Sequence, residues 1–82
     1  MKSSWFVYMV QCSDQSLYTG ITTDLDQRVQ RHNAGLGARY TRSRLPVELV
    51  YTETAADRSA ALRRESQIKS MPANAKRGLI NE

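Results

Sequence analysis

The stretch from Trp5 to Gln11 limits the possible folds more than any other part of the chain. Its two alternating sets, Trp5, Val7, Met9 and Phe6, Tyr8, Val10, are both apolar. A strand that is apolar on both faces belongs in the middle of a sheet, covered from both sides. The first partner strand is close at hand. Ser13-Asp14-Gln15-Ser16 has the composition of a turn. Leu17 to Thr22 follows as a second strand, with Leu17, Thr19 and Ile21 on one face and Tyr18 and Gly20 on the other. The pair reads as an antiparallel hairpin.

The register of that hairpin decides where the tyrosines go. A two-residue turn at Asp14-Gln15 would send Tyr8 and Tyr18 to opposite faces. A three-residue loop, Ser13 to Gln15, would put them on the same face, Tyr8 opposite Gly20 and Tyr18 opposite Val10. Asp14-Gln15 lacks the glycine that two-residue primed turns favour, so the second register is predicted. Gly20 then leaves open space beside Tyr8, a common use of glycine inside a strand.

The remaining elements follow from periodicity and punctuation. Thr23-Asp24 starts a helix that runs to about Ala34 and stops at Gly35, with Asp24 and Gln27 spaced as a capping box. Leu25, Val29 and His32 share one face of it. Arg28 borders that stripe one turn before His32, while Gln27 and Arg31 look outward. Gly35 to Leu45 reads as a loop that carries Arg39, Arg42 and Arg44 around Tyr40. Pro46 opens a third strand, Val47 to Thr52, with Val47, Leu49 and Tyr51 alternating inward. A second long helix begins near Ala56 and stops before Pro72. Its apolar positions are Ala61, Leu62 and Ile68, and Glu65 falls between the last two on the buried face. A short final helix presents Ala75, Leu79 and Ile80, weakened by Gly78.

Composition narrows the class. A chain of 82 residues implies a single domain, 1–82, that buries only about 60% of its unfolded surface. The chain is 40% hydrophobic and 24% charged, values of a soluble globular protein that argue against disorder. Twelve Lys and Arg against eight Asp and Glu give a net charge of +4, which suggests nucleic acid without deciding it. Cys12 is the chain's one cysteine, so there is no internal disulfide and no Cys/His zinc site. It fits a reducing compartment and a buried apolar role. The run Trp5 to Val10 is too short to span a bilayer and lacks a signal-peptide cleavage pattern. The expectation is a cytoplasmic protein with no membrane partner.

Five side chains carry chemistry that a small core does not need. A carboxylate on the buried face of a helix must be protonated, paired or metal-bound. Glu65 is therefore either an internal salt bridge, to Arg28 or another arginine, or a ligand for Mg²⁺, which takes one or two carboxylates with waters and phosphate oxygens. Tyr8 and Tyr18 are either core aromatics with hydroxyls at the rim or proton-transfer groups. In the second case their reference pKa of about 10 calls for nearby positive charge. Arg28 suits the oxygens of a phosphodiester as charge builds. His32 is either structural or a partner that hydrogen-bonds a tyrosine and passes a proton. The run Ala38-Arg39-Tyr40-Thr41-Arg42-Ser43-Arg44 suits phosphates and a stacked base, or is a solvated basic loop. Arg31, Arg39, Tyr40, Arg42 and Arg44 are the candidate nucleic-acid contacts. No glycine-rich nucleotide loop, zinc spacing or Ser/His/Asp set is visible.

Taken in order, these residues resemble the GIY-YIG nuclease superfamily, most closely its small stand-alone bacterial proteins. Phe6-Val7-Tyr8 corresponds to the first motif and Tyr18-Thr19-Gly20 to the second. Arg28 matches the family's helix arginine, His32 the histidine or tyrosine one turn later, and Glu65 the metal-binding glutamate. Gly37 to Arg42 and Pro46 to Tyr51 are typical of the small branch. Phe6 stands where the motif has glycine and Thr19 where it has isoleucine. Neither position supplies catalytic atoms.

The resemblance implies an α/β (α+β) fold, a three-stranded antiparallel sheet flanked by helices. It implies a metal-dependent endonuclease that hydrolyses DNA phosphodiester bonds with Mg²⁺, Mn²⁺ substituting, in DNA repair or turnover. Tyr8 would act as general base or position the water, and Tyr18 would support the site and the phosphate. Arg28 would stabilise developing charge, His32 would aid Tyr8 or the proton path, and Glu65 would hold the metal. The asparagine many relatives carry after the glutamate would be Asn74 or Asn81. Larger relatives attach a DNA-binding domain. Without one, sequence specificity is expected to be low unless a protein partner supplies it, and RNA stays open as a target. The alternative is a nucleic-acid-binding module of the same fold with little or no turnover. A small structural domain whose tyrosines are merely core is the third reading.

Overall fold

In a computed structural model, which describes residues 4–81, the doubly apolar stretch is strand β1 (Trp5–Gln11). The outermost positions of the expected 1–82 unit lie outside the described residues. Strand β1 is the middle of a three-stranded sheet of order β2-β1-β3, with β2 Leu17–Thr22 and β3 Glu48–Ala55, both antiparallel to it. Among the described residues four helices accompany the sheet: α1 Leu25–Asn33, α2 Arg39–Arg42, α3 Arg58–Lys69 and α4 Ala73–Ile80. The α+β architecture expected above is the one observed.

The β1–β2 register is the three-residue one. Tyr8 pairs with Gly20 and Val10 with Tyr18. Cys12 N–H donates to the Ser16 carbonyl at 2.8 Å and Gln15 N–H to the Cys12 carbonyl at 3.0 Å. Gln15 sits at φ 74°, the left-handed residue with which a three-residue hairpin loop closes. Asp14 Oδ1 accepts from Ser16 N–H at 3.0 Å, bracing the turn.

Helix α1 begins and ends where its punctuation says. Asp24 Oδ1 accepts from Gln27 N–H at 3.0 Å. The second half of the expected capping box is taken by Thr22, whose hydroxyl accepts from Asp24 N–H at 3.1 Å. At the other end Gly35, at φ 79°, lets Leu36 N–H reach the Arg31 carbonyl at 2.9 Å and its own N–H reach His32 at 3.0 Å, a Schellman closure.

Two apolar clusters flank the sheet. Val7 and Met9 pack with Ala61 and Ile68 of α3, with Leu79 and Ile80 of α4 at the margin. Tyr8, Val10, Cys12 and Val47 form the other cluster, with Leu25 and Val29 of α1 against them. Among the described residues no helix is long and apolar enough to cross a membrane.

Three local expectations are corrected. The third strand runs on to Ala55, three residues past Thr52, and carries a bulge: Met9 pairs with Tyr51 but Val10 with Leu49. The extra residue, Val50, shifts the alternation. Val47 and Leu49 therefore join the Tyr8 side while Tyr51 joins the Val7 side, so the three do not share a face. The segment read as loop contains a helical turn, α2. Leu62, expected inward, is exposed. Ala61, fully buried, faces the sheet instead, and Leu62 lies past the edge of that narrow stripe.

Candidate active site

The site grows from the alternation of β1. Tyr8 points away from Val7 and Met9, and it is fully buried. A Cβ at Gly20 would lie 2.5 Å from the Tyr8 hydroxyl oxygen, so glycine is what lets the ring lie across β2. The same hydroxyl receives Arg28 Nε–H at 3.2 Å and lies 2.9 Å from His32 Nε2. Both partners come from α1, one turn apart, which is the placement their spacing predicted. His32 is itself fully buried, and its Nδ1 lies 2.9 Å from the hydroxyl oxygen of Thr41, also fully buried. Thr41 Oγ1 donates to the Ala38 carbonyl at 2.9 Å.

Tyr18 closes the mouth of this arrangement. Its ring meets the His32 ring edge-on, centroids 5.4 Å apart, and stacks on Tyr40 at 6.1 Å and 22°. Its hydroxyl is near enough to Arg28 to favour the guanidinium charge. Both tyrosines thus address one cation from one face of the sheet. Lys69 Nζ lies 5.9 Å from the Tyr18 ring centroid and 3.3 Å from Glu65 Oε2. Helix α3 covers the opposite face, but it contacts β2, the edge strand. Glu65 stands one turn before Lys69 on it, and its side chain is 18% exposed. Its charge helps oppose ionisation of Tyr8.

The electrostatics follow from this packing. Burial raises the Tyr8 pKa above its usual value, against the pull of Arg28, so Tyr8 rests as a neutral phenol. Burial, and then the Arg28 charge, lower the His32 pKa, so the imidazole rests neutral. For Arg28, burial works against the charge, but contact with the two tyrosines outweighs it and the pKa rises.

The basic segment divides in two. Arg39 and Arg42 of α2 are exposed, as is Arg31 of α1. Arg44 is half-buried and occupied. Its Nε donates to Asp14 Oδ2 at 3.0 Å, one Nη to the Tyr40 carbonyl at 2.7 Å, and its guanidinium lies 4.0 Å over the Tyr40 ring. It therefore holds Tyr40 against Tyr18 and pins the hairpin turn. Asn74 and Asn81 are both exposed on or beside α4.

Three participants escaped the sequence reading. Lys69 was legible as the i, i+4 partner of Glu65, where an arginine was expected. Gly37 packs against the His32 ring so closely that a Cβ there would overlap Nδ1. Thr41 sits in a polar run whose composition carries no sign of burial.

A sequence profile described as the GIY-YIG catalytic domain matches residues 4–77. The chain belongs to the GIY-YIG family. Within that nuclease family its relatives carry the name UPF0213. One from Haloquadratum walsbyi is 55% identical over 82 residues, all of this chain and 92% of that protein. Another, from Desulfotalea psychrophila, is 55% identical over 80 residues, 96% of this chain and 73% of that protein. The solution NMR structure of a UPF0213 protein from Bacillus halodurans is 40% identical and superposes with a TM-score of 0.61, covering 95% of this chain and 83% of that one. Tyr8, Tyr18 and Arg28, three of the residues on which the resemblance rests, come together on one face of the sheet.

Proposed function

We propose that this GIY-YIG protein is a metal-dependent endonuclease that hydrolyses DNA phosphodiester bonds with low sequence specificity, in DNA repair or turnover. The observation that carries the reading is the Tyr8 hydroxyl: fully buried, in a space that Gly20 clears, and hydrogen-bonded to both Arg28 and His32. A core tyrosine needs one hydrogen-bond partner at the rim. This one has a permanent cation and a neutral imidazole, which are the partners a proton-transfer group requires.

Arg28 holds the negative oxygens of a phosphodiester and stabilises charge as it builds there. Tyr8 orients the attacking water and relieves it of a proton, with His32 in the proton path. Tyr18 lines the phosphate. Tyr40, held between Tyr18 and Arg44, meets the DNA at its exposed edge, and Arg31, Arg39 and Arg42 track the backbone.

The donor set suits Mg²⁺, or Mn²⁺ in its place. Glu65 offers one mostly buried carboxylate whose counter-ion, Lys69, is exposed and able to swing aside. Mg²⁺ commonly takes one or two carboxylates and completes its shell with waters and substrate phosphate. Among the described residues there is no group of three or more His, Cys, Asp or Glu that would cage an ion, so Glu65 would be the protein's ligand. The ion would neutralise the phosphate and the departing oxygen.

The test is incubation with supercoiled, branched and single-stranded DNA plus Mg²⁺ or Mn²⁺, comparing the native sequence with Glu65→Ala. Cutting is expected, lost on chelation and in the variant. Cutting that persists unchanged in Glu65→Ala contradicts the reading. Salt-sensitive binding with no cutting of any substrate replaces it with a nucleic-acid-binding module.

A further inference from the structure

We infer that Thr41 is a positioning residue: its hydroxyl fixes the tautomer of His32, leaving the Nε2 lone pair aimed at the Tyr8 proton. The functional half of this inference rests on the nuclease reading above, and the tautomer half does not.

The available protons fix the order of these contacts. Thr41 Oγ1 lies 2.9 Å from the Ala38 carbonyl oxygen. A carbonyl oxygen can only accept, so the hydroxyl proton lies between those two oxygens. Without it they would meet lone pair to lone pair. A hydroxyl carries one proton, so toward His32 Nδ1, 2.9 Å away, Thr41 has only lone pairs left. Nδ1 must then carry the ring proton. In a neutral imidazole the other nitrogen is bare. Nε2 therefore accepts, and the group 2.9 Å from it, the Tyr8 hydroxyl, donates. Arg28 Nε–H donates to the same phenol oxygen.

One directed chain results, from Arg28 through Tyr8, His32 and Thr41 to the Ala38 carbonyl. Every proton in it has a single place. The fold enforces the geometry around it. Thr41 is buried within α2, and Ala38 is the residue that starts that helical turn. Gly37 presses on the His32 ring where a side chain would not fit.

This order gives Tyr8 a way to act as a base without first ionising. As the water oxygen bonds to phosphorus, its proton passes to the Tyr8 oxygen, and the proton of Tyr8 passes to His32 Nε2. The bond from phosphorus to the leaving oxygen breaks with its electron pair on that oxygen, which takes a proton from solvent. His32, now imidazolium, keeps Nδ1–H on Thr41 and returns its extra proton through Tyr8 to solvent. The opposite tautomer would aim an N–H at the phenol and block the first transfer.

The chain holds one histidine, so the ring nitrogens of ¹⁵N-labelled protein are directly assignable by long-range proton–nitrogen correlation. With neither DNA nor metal added, the native sequence should show the proton on Nδ1. Thr41→Val, which keeps the shape and removes the acceptor, should move the proton to Nε2 or mix the tautomers. It should also lower kcat about 100-fold, the scale of general acid–base catalysis, with KM unchanged. Thr41→Ser should restore both. A proton on Nε2 in the native protein overturns the inference, as does a valine variant that keeps Nδ1–H. If the valine variant does not fold, the serine variant decides: the native pattern supports the assignment and an Nε2 proton refutes it. If the native protein cuts no DNA, the nuclease reading fails, and the nitrogen shifts still judge Thr41.

Discussion

Val7 and Met9 face one side of β1, Tyr8 and Val10 the other, and all four are fully buried. The two sides use that burial differently. The Val7 side is filled by aliphatic groups from α3 and α4. Among its fully buried described residues the polar one is Thr19, 3% exposed, whose hydroxyl has no hydrogen-bond partner; at its margin the half-buried Glu53 accepts from Arg64 at 2.7 Å and from the Tyr51 hydroxyl. The Tyr8 side buries Tyr8, His32 and Thr41, and each of these is hydrogen-bonded. A chain this short has little apolar surface to spare, and a closed polar chain in its core adds less stability than hydrophobic packing would. One side of the strand stabilises the fold; the other uses the fold to hold groups in place.

That contrast can be tested on each side. The largest effect on stability should come from Met9→Ala. Removing a fully buried side chain from the aliphatic face should cost about 2–5 kcal/mol, read by urea unfolding, while cleavage per folded molecule stays near native. A Met9→Ala protein that is folded yet inactive would erase the distinction. A smaller change of opposite sign is expected from Thr19→Val, which removes the unpartnered hydroxyl and should stabilise by about 1 kcal/mol. Last comes pH. The folded-state pKa of His32 is lowered, by burial and then by Arg28. Its contribution to stability is therefore fully present above the unfolded value of about 6.5. It is lost as pH falls through the lowered folded value. Cleavage should fail on the same acid limb, because an imidazolium cannot accept the Tyr8 proton. Unfolding and cleavage measured from neutral to acidic pH should both show a limb that starts below about 6.5 for the native protein, and the unfolding of His32→Gln should keep only the more acidic limb of Glu53 and Asp14, whose pKa values are also lowered.

Much of this was legible before any coordinates. The missing glycine at Asp14-Gln15 set the hairpin register, and the register set the Tyr8–Gly20 pair. Asp24 and Gly35 bounded α1, and helical spacing then placed Arg28 beside His32. What stayed hidden depends on long-range contact. The Val50 bulge, which divides Leu49 from Tyr51, leaves the strand as apolar as an unbulged one. Arg44 looks as available as Arg39 and Arg42 until Asp14, thirty positions earlier, is found against it. Thr41 was the hardest to see. Nothing in a polar, basic run says that one hydroxyl turns inward, because its partner, His32, lies on a different helix.

The central claim is that the polar face of β1 is catalytic machinery, and Tyr8→Phe tests it most directly. The substitution keeps the ring and deletes the oxygen that Arg28 and His32 share. Under single-turnover conditions with supercoiled DNA and Mg²⁺, at a pH where both proteins are folded, the cleavage rate should fall about 100-fold or more. Cleavage by Tyr8→Phe at the native rate would contradict the account.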